Sequence, residues 1–235
     1  MKNIQKNFFE SSENWQTKKF SKPNSTIRVA SLFSGIGAFE QALDILGLKS
    51  KIVLACDNDQ FVKKSFFANY EINEKNWFDD VQEINGTKFK NKVDLLVGGA
   101  PCQSFSMVGK RLGLKDTRGN LTLHFIKKIN EIKPKVFIFE NVRALLSVDN
   151  GDAWKIIYNK FKQTGYTFYY NTLNAKNFGI PQNRERLFVI GFKNKQNFLF
   201  PQPIKLKNTM QDYLEGQFDK KFYLPPKGVA FVTKN

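Results

Sequence analysis

From Ile27 onward, short apolar runs alternate with amphipathic segments of helix length. The runs read IRVASLF, SKIVLAC, VDLLVGG and KVFIFE, and segments such as AFEQALDILG and LTLHFIKKINEIKP lie between them. Two more strand-like runs follow at residues 166–175 and 186–192. Strands that are apolar on both faces and alternate with helices are typical of parallel sheets covered on both sides. The pattern therefore predicts an α/β fold with an open, twisted, mostly parallel sheet flanked by helices.

Apolar residues three and four positions apart predict which helix faces point into the core. One predicted stripe ends at Gly47, a residue suited to terminate a helix, and consists of Phe39, Ala42, Leu43 and Leu46. A second stripe lies before Pro134 and consists of Leu121, Phe125, Ile129 and Ile132. Both helices are expected to pack these stripes against the sheet.

The charge balance narrows the choice of partner. Lys and Arg number 37 against 21 Asp and Glu, which gives a net charge of +16 and favours a polyanionic partner such as a nucleic acid or an anionic membrane surface. A solvated lysine surface is the alternative explanation. No apolar stretch approaches the roughly 20 residues that span a bilayer, and the first 26 residues are too polar for a signal peptide, so a cytoplasmic location is expected.

The supply of metal ligands is poor. Cys56 and Cys102 are far apart without CxxC spacing, and the chain has one histidine. Structural zinc sites usually need four ligands of these two types. The sequence therefore predicts no metal site.

Unusual polar residues follow several of the predicted strands. The segment FSGIG comes at the end of the run IRVASLF, Asp57 comes after SKIVLAC and APCQ after VDLLVGG, while Glu140 ends the run KVFIFE. In open α/β sheets, ligands bind outside the carboxyl ends of the strands. These residues are therefore expected to share one edge of the sheet.

The segment FSGIGAFE has the form of a ligand-binding turn between a strand and a helix. Gly35 and Gly37 permit a tight turn, but Glu40 replaces the third small residue of a dinucleotide fingerprint. A carboxylate there argues against a pyrophosphate and for a nucleoside cofactor without phosphates. Asp57, about 20 residues on, is placed to accept hydrogen bonds from ribose hydroxyls. A purely structural turn is the alternative for the glycines, and Asp57 could instead cap the helix beginning near Gln60, a role compatible with binding ribose.

Cys102 lies just past an apolar strand, between a proline and an amide. A structural cysteine usually sits inside an apolar run, whereas a reactive one needs partial exposure and a setting that favours thiolate. The loop that follows is basic, with Lys110, Arg111, Lys115 and Arg118. A nucleophile is therefore predicted in preference to a structural thiol.

A carboxyl group and two guanidinium groups are candidates to act with this thiol. Glu140 at the same edge is suited to donate a proton to a ring nitrogen or carbonyl, although it could instead cap the next helix or pair with Arg143. Arg184 and Arg186 are two residues apart, so in a strand they would leave one face with Glu185 on the other. Two guanidiniums suit a carbonyl oxygen, a carboxylate or a phosphate. A surface ion-pair ladder is the alternative.

Four stretches together resemble the DNA (cytosine-5)-methyltransferase family, in the family's order. They are LFSGIGAFEQAL, GGAPCQSFSMVGKR, FENVRALL and NFGIPQNRERLFVIGF, and the resemblance extends from Ile27 to about Phe192. It implies a Rossmann-like methyltransferase fold and S-adenosylmethionine as cofactor. It also implies that the cofactor is bound by Phe33, Ser34, Gly35, Ile36, Gly37, Asp57, Asn58, Asp80, Val81, Pro101 and Leu121.

The resemblance implies a covalent mechanism on a cytosine that has been flipped out of double-stranded DNA. Cys102 would attack C6, Glu140 would hydrogen-bond N3 and N4, Arg186 would contact O2, and Arg184 would support the cysteine and the base. The basic loop 104–120 would close over DNA phosphates. A bacterial restriction-modification system is the expected setting.

The resemblance also divides the chain. Residues 1–26 are predicted to be an N-terminal tail, 27–192 the catalytic and cofactor-binding domain, and 193–235 the start of a truncated target-recognition region. The family's last two motifs are missing, so we expect either one chain of a split enzyme with a second polypeptide as partner or a truncation, and weak activity alone. Two alternatives stay open, a tRNA cytosine-5 methyltransferase and an inactive nucleic-acid-binding fragment.

Overall fold

The computed structural model describes residues 19–22, 24–101, 121–216 and 219–233. Its seven strands are β1 Ile27–Leu32, β2 Ser50–Cys56, β3 Trp77–Phe78, β4 Leu95–Gly99, β5 Val136–Val142, β6 Thr167–Asn174 and β7 Glu185–Phe192. They form one sheet in the order β3-β2-β1-β4-β5-β7-β6. The pairs among β1 to β5 are parallel, and β7 runs antiparallel to both β5 and β6. The predicted open, mostly parallel α/β sheet is confirmed.

Helices cover both faces of this sheet. They are α1 Ala38–Ile45, α2 Gln60–Asn69, α3 Leu121–Ile132 and α4 Asp152–Gln163; a fifth helix, α5 Pro226–Val232, belongs to the C-terminal residues. Leu43 of α1 packs with Val29 on one face, and Phe125 of α3 belongs to the core cluster that contains Leu32 on the other. Val29 and Leu32 lie three positions apart in β1 and therefore point to opposite faces. Within the described residues, no helix is long and apolar enough to cross a membrane.

The core between the sheet and α3 and α4 is aromatic. Phe137 stacks on Phe161 with ring centroids 5.4 Å apart and planes 12° apart, and Phe125 meets Phe137 edge-on at 6.4 Å. Gly191 in β7 leaves the space for this packing, since a Cβ there would lie 2.0 Å from the Phe137 ring. The predicted stripe on α3 is confirmed: Phe125, Ile129 and Ile132 are fully buried.

The stripe predicted on α1 is partly wrong. Leu43 is buried, but Ala42 is exposed and Leu46 is 53% exposed, whereas Glu40 is only 1% exposed. The buried residues of α1 are Glu40 and Leu43, three positions apart on one face, and Phe39 is partly buried against the same cluster as Leu43. The periodicity therefore predicted the helix correctly but assigned Ala42 and Leu46 to its buried face in place of Glu40.

The chain forms two compact units. The first contains the described residues through Asn174 together with Glu185–Gln202, and so the whole sheet. The second contains Ala175–Arg184 and the described residues from Pro203 onward. In this second unit, the Ile204 amide donates a hydrogen bond to the Asn177 carbonyl at 2.8 Å. The segment between β6 and β7, which lies inside the predicted catalytic domain, thus groups with the C-terminal residues.

Candidate active site

The carboxyl ends of β1, β2 and β4 lie at one edge of the sheet. Leu32 near the end of β1 pairs with Cys56 of β2 and with Gly98 of β4, so these parallel strands end at the same level. The residues that follow each strand therefore lie at the carboxyl edge, where α/β folds bind ligands. The backbone N–H of Asp57 also donates to the Phe78 carbonyl at 3.2 Å, which brings the end of β3 to this edge.

A left-handed turn connects β1 to α1. Gly35 and Gly37 have φ of 53° and 88°, and Phe33 has φ of 54°. A Cβ on Gly37 would lie 2.2 Å from the Tyr70 ring, whose hydroxyl donates to the Gly37 carbonyl at 2.9 Å. Glycine is therefore required at this position by both conformation and space.

Asp57 holds this turn in place. Its carboxylate accepts hydrogen bonds from the Gly35 N–H at 2.9 Å and from the Asp59 N–H at 3.1 Å. The helix α2 is capped by Asp59, whose side chain accepts from the amides of Phe61 and Val62. The alternative in which Asp57 caps this helix is therefore wrong, because Asp59 occupies that position.

The other predicted cofactor residues lie on several elements. Asn58 is exposed beside Asp57, and Asp80 follows β3 and accepts from the Gln82 amide at 2.8 Å. Val81 is 2% exposed and packs in the main core, which leaves its backbone rather than its side chain for a ligand. Leu121 is the first residue of α3.

The segment around the predicted nucleophile is described only up to Pro101. Cys102 and the predicted mobile loop 104–120 lie outside the described residues. Ala100, which precedes Pro101, is held by Asn141, whose side-chain amide donates a hydrogen bond to the Ala100 carbonyl at 2.9 Å. Asn141 is 2% exposed, so β5 holds the backbone two residues before Cys102. The sequence prediction missed this contact, although a polar residue within an apolar strand was the available signal.

Glu140 and Arg186 form an ion pair at the same edge. The Nε of Arg186 lies 3.0 Å from Oε1 of Glu140, and the two side chains are 23% and 25% exposed. Glu140 pairs with Phe188 in the ladder and Val142 pairs with Arg186, so the two charged residues are diagonal neighbours on one face. The structure therefore brings together two of the four predicted catalytic residues.

The alternative roles considered for Glu140 are wrong. Arg143 pairs with Glu185 at 2.6 Å rather than with Glu140. The short helix 143–146 begins after Val142 and has no side-chain cap. Glu140 also does not end its strand, because β5 continues to Val142. Asn141 and Val142 continue the pairing of β5 with β7 beyond Glu140, so the Glu140 backbone is held within the sheet. Its carboxylate pairs with Arg186.

Arg184 belongs to the second compact unit. Its N–H donates to the Gln182 carbonyl and its carbonyl accepts from the Ala175 amide, each at 3.0 Å. The prediction that Arg184 and Arg186 share a face depended on both being in a strand. Because β7 begins at Glu185, the alternation of strand side chains does not extend to Arg184. Its place in the candidate site therefore stays a prediction.

Several buried polar atoms near this edge lack hydrogen-bond partners within the described residues. They are the hydroxyls of Ser31, Ser34 and Thr122 and both carboxylate oxygens of Glu40. Burial raises the pKa of Glu40. Such groups are rare in folded proteins and usually indicate a ligand or water. Most of them lie in or beside the turn between β1 and α1.

Among the described residues, the thiol at this edge is that of Cys56, which is buried. Desolvation, together with the charges of Asp57 and Asp80, raises its pKa to about 12. Cys56 is therefore protonated and inert at neutral pH. The described residues contain no group of three or more potential metal ligands among His, Cys, Asp and Glu.

Comparison with known proteins places this geometry in a family. Residues 27–229 match the model of the C-5 cytosine-specific DNA methylase family. The chain is 38% identical over 229 residues to the orphan methyltransferase M.SPRI of Bacillus phage SPR, covering 84% of this chain and 52% of that protein. It is 37% identical over 214 residues to the type II methyltransferase M.SsoII of Shigella sonnei, with 86% and 53% covered.

Solved structures support the fold. A DNMT2 mutant from Spodoptera frugiperda superposes with a TM-score of 0.67 at 24% identity, covering 85% of this chain and 62% of that one. A putative DNA modification methyltransferase encoded within an E. coli prophage gives a TM-score of 0.63 at 25% identity, with 82% and 56% covered. The chain spans about half the length of the curated relatives. This protein belongs to the C-5 cytosine-specific DNA methylase family.

Proposed function

We propose that this chain carries the cofactor-binding and catalytic residues of a DNA (cytosine-5)-methyltransferase that uses S-adenosylmethionine. The observation that supports it most directly is the Glu140–Arg186 pair, 3.0 Å apart at the edge where β4 leads into Pro101 and Cys102. A carboxyl and a guanidinium side by side match the adjacent N3 and O2 of one cytosine. The relatives named type II methyltransferases favour a restriction-modification setting.

The described residues fit the proposed cofactor. The Gly35–Gly37 turn brings backbone close to the edge, and Asp57 offers carboxylate oxygens for ribose. The hydroxyl of Ser34, which is buried and has no hydrogen-bond partner among the described residues, lies in the same turn. Residues 33–37 and 57–58 include no basic side chain, whereas Asp57 and, in the first turn of α1, Glu40 carry carboxyl groups, so a phosphate-free, positively charged ligand suits this edge.

The residues proposed to hold S-adenosylmethionine are those implied by the family. They are Phe33, Ser34, Gly35, Ile36, Gly37, Asp57, Asn58, Asp80, Val81, Pro101 and Leu121. When bound, this cofactor supplies an electrophilic methyl group that C5 of an activated cytosine accepts. The chain's own task is to place that group beside the base and to exclude water from the site.

The proposed chemistry makes cytosine reactive through covalent addition. The Cys102 thiolate forms a bond to C6, which moves the C5–C6 π electrons toward C5, and a proton shared with Glu140 stabilises N3. Arg186 contacts O2, and Arg184 supports the cysteine and base. After methylation, loss of the C5 proton restores the double bond and expels the Cys102 sulfur. The base must leave the duplex for these contacts, which costs a few kcal/mol.

Trapping on a modified base tests the proposal. An oligonucleotide with fluorine at C5 of the target cytosine cannot lose a C5 proton, so the bond from Cys102 to C6 should persist. We expect a cofactor-dependent covalent complex that survives denaturation and is absent in Cys102→Ser. Because relatives are about twice as long, the reaction is run with the chain alone and with the product of the adjacent reading frame.

Parallel substrates separate the remaining candidates. Trapping on tRNA containing 5-fluorocytosine but not on duplex DNA would replace DNA with RNA as the substrate. Nucleic-acid binding without a covalent complex under every condition would leave an inactive binding fragment and would end the proposal. A covalent complex that forms equally well with Cys102→Ser would remove the assigned nucleophile.

A further inference from the structure

A cavity lies outside the candidate active site, since none of its lining residues is a predicted site residue. It has a volume of about 500 Å³ and is bounded by α3, α4 and the short helix Gly86–Phe89. Its lining includes Thr87 and Lys90, which precede β4, and Lys160 and Gln163 in the last turn of α4, which precede β6. These residues lie before their strands, whereas the active-site residues follow theirs. The lining also runs along α3 from Leu123 to Glu131, so the cavity lies along the helices and includes neither Glu140 nor Arg186.

Lysines dominate the charge of this cavity. Lys90, Lys127 and Lys160 line it, together with one carboxylate, Glu131. In the described part of the chain, neither Lys90 nor Lys160 has a carboxylate within ion-pair distance. Lys127 reaches Glu131 only at 3.7 Å and keeps a 63% exposed side chain. These three ammonium groups are thus available to an anion.

The one carboxylate in the lining, that of Glu131, is neutralised by groups that do not line the cavity. Lys128, 2% exposed, donates to the Ile84 carbonyl and lies 2.9 Å from Oε2 of Glu131. The Gly86 amide donates to the same oxygen at 3.2 Å. The charge of Glu131 is therefore already balanced by Lys128 and does not cancel that of the lining lysines. Its hydrogen bond from the Gly86 amide also joins α3 to the segment before β4.

The uncharged lining gives the chemical class of the ligand. Leu123 and Ile126 supply an apolar surface, and Asn130 and Gln163 supply amide groups that can both donate and accept. A volume of this size is in the range of small-molecule sites. Apolar area, amides and lysines together match a base or nucleoside that carries phosphate.

We propose that this cavity binds a nucleotide phosphate group, either from a free nucleotide or from a nucleic-acid strand, as a site separate from the methyl-transfer edge. Lys90 and Lys160 hold the phosphate, and the amide and apolar side chains contact the attached nucleoside. This proposal does not depend on methyl transfer, since no residue of the candidate active site takes part. It also gives a specific use to part of the net charge of +16.

Two probes and a matched pair of variants test the site. ATP is titrated by calorimetry, and a fluorescent single strand of roughly 12 nucleotides by anisotropy over a range of salt concentrations. The variant Lys90→Ala/Lys160→Ala is compared with Lys51→Ala/Lys195→Ala. The control pair removes the same charge from exposed positions outside the cavity. Circular dichroism checks that both variants fold.

The cavity variant should bind at least one probe about tenfold more weakly, while the control stays within about threefold of the wild type. If the strand is the ligand, the slope of log K against log salt should fall by about 1.4, because each lost phosphate contact contributes about 0.7. Lys90→Arg/Lys160→Arg should restore most of the binding. An ATP response identifies a free nucleotide, and a strand response alone identifies nucleic acid. Equal weakening by both alanine pairs, or no binding of either probe, would overturn the proposal.

Discussion

Gly99→Ala should separate the stability of the fold from the geometry of the active site. Gly99 pairs with Glu140 across β4 and β5, and a Cβ at Gly99 would lie 2.6 Å from Oε2 of that carboxylate. Ordinary contacts begin at 3.4 Å, so the carboxylate must retreat by about 0.8 Å. The clash involves the end of a flexible side chain rather than backbone, so the side chain can move without disturbing the sheet.

The retreat should weaken the Glu140–Arg186 pair much more than the fold. If the carboxylate moves away from the guanidinium, the 3.0 Å separation of Oε1 and Nε grows to about 3.8 Å, beyond hydrogen-bond range. Because both side chains are about a quarter exposed, loss of the pair should cost about 1 kcal/mol of unfolding free energy or less. A misplacement of about 1 Å at a reacting group can lower a rate about 100-fold.

Two measurements on the same protein check this reasoning. Urea denaturation should show a loss of about 1 kcal/mol or less, while the rate of covalent trapping on 5-fluorocytosine should fall about 100-fold. Gly216→Ala is the matched control, since a Cβ there meets nothing within 4 Å, and both quantities should stay at wild-type values. Wild-type trapping by a folded Gly99→Ala variant, or a loss of several kcal/mol, would refute the argument.

Three further predictions concern stability. Gly191→Ala should destabilise the protein by about 1–3 kcal/mol in urea, because its Cβ would overlap the buried Phe137 ring; an unchanged free energy of unfolding would contradict this. The hydrogen bond from Arg28 holds the pKa of Asp94 well below its usual range, so its stabilisation is present above the unfolded pKa and is lost as pH falls. Asp94→Asn should therefore be less stable at neutral pH and lose less stability on acidification; parallel urea curves would refute this. Burial raises the pKa of Glu40, which destabilises the fold as pH rises above the unfolded value, so Glu40→Gln should gain stability at neutral pH but not near pH 4.

The sequence predicted the sheet well because strand composition is a local property. Runs that are apolar on both faces must be covered on both faces, and this alone implies helices on each side. The order of the strands required the spatial pairing, which composition does not encode. The glycine turn was predictable for the same reason, since Gly35 and Gly37 adopt a conformation that other residues rarely adopt.

Contacts between side chains were the part that the sequence could not supply. The carboxylates of Asp57 and Glu140 each had more than one plausible role in the sequence, and the choice depended on distances set by the fold. Periodicity also could not foresee the burial of Glu40, because hydropathy assigns a carboxylate to the surface. The cavity lysines come from three separate segments and have no common motif.

The reversal of β7 affects how such a protein can diversify. Because β7 runs against β5, its first residues meet the end of β5, and Arg186 reaches Glu140 although 46 positions separate them. The ladder between β6 and β7 closes at Asn174 and Glu185, and the ten residues between them leave and rejoin the sheet at that closed pair. Segments of different length or composition can thus be exchanged at this point without loss of a ladder bond, and the strands that hold Glu140 and Arg186 stay unchanged.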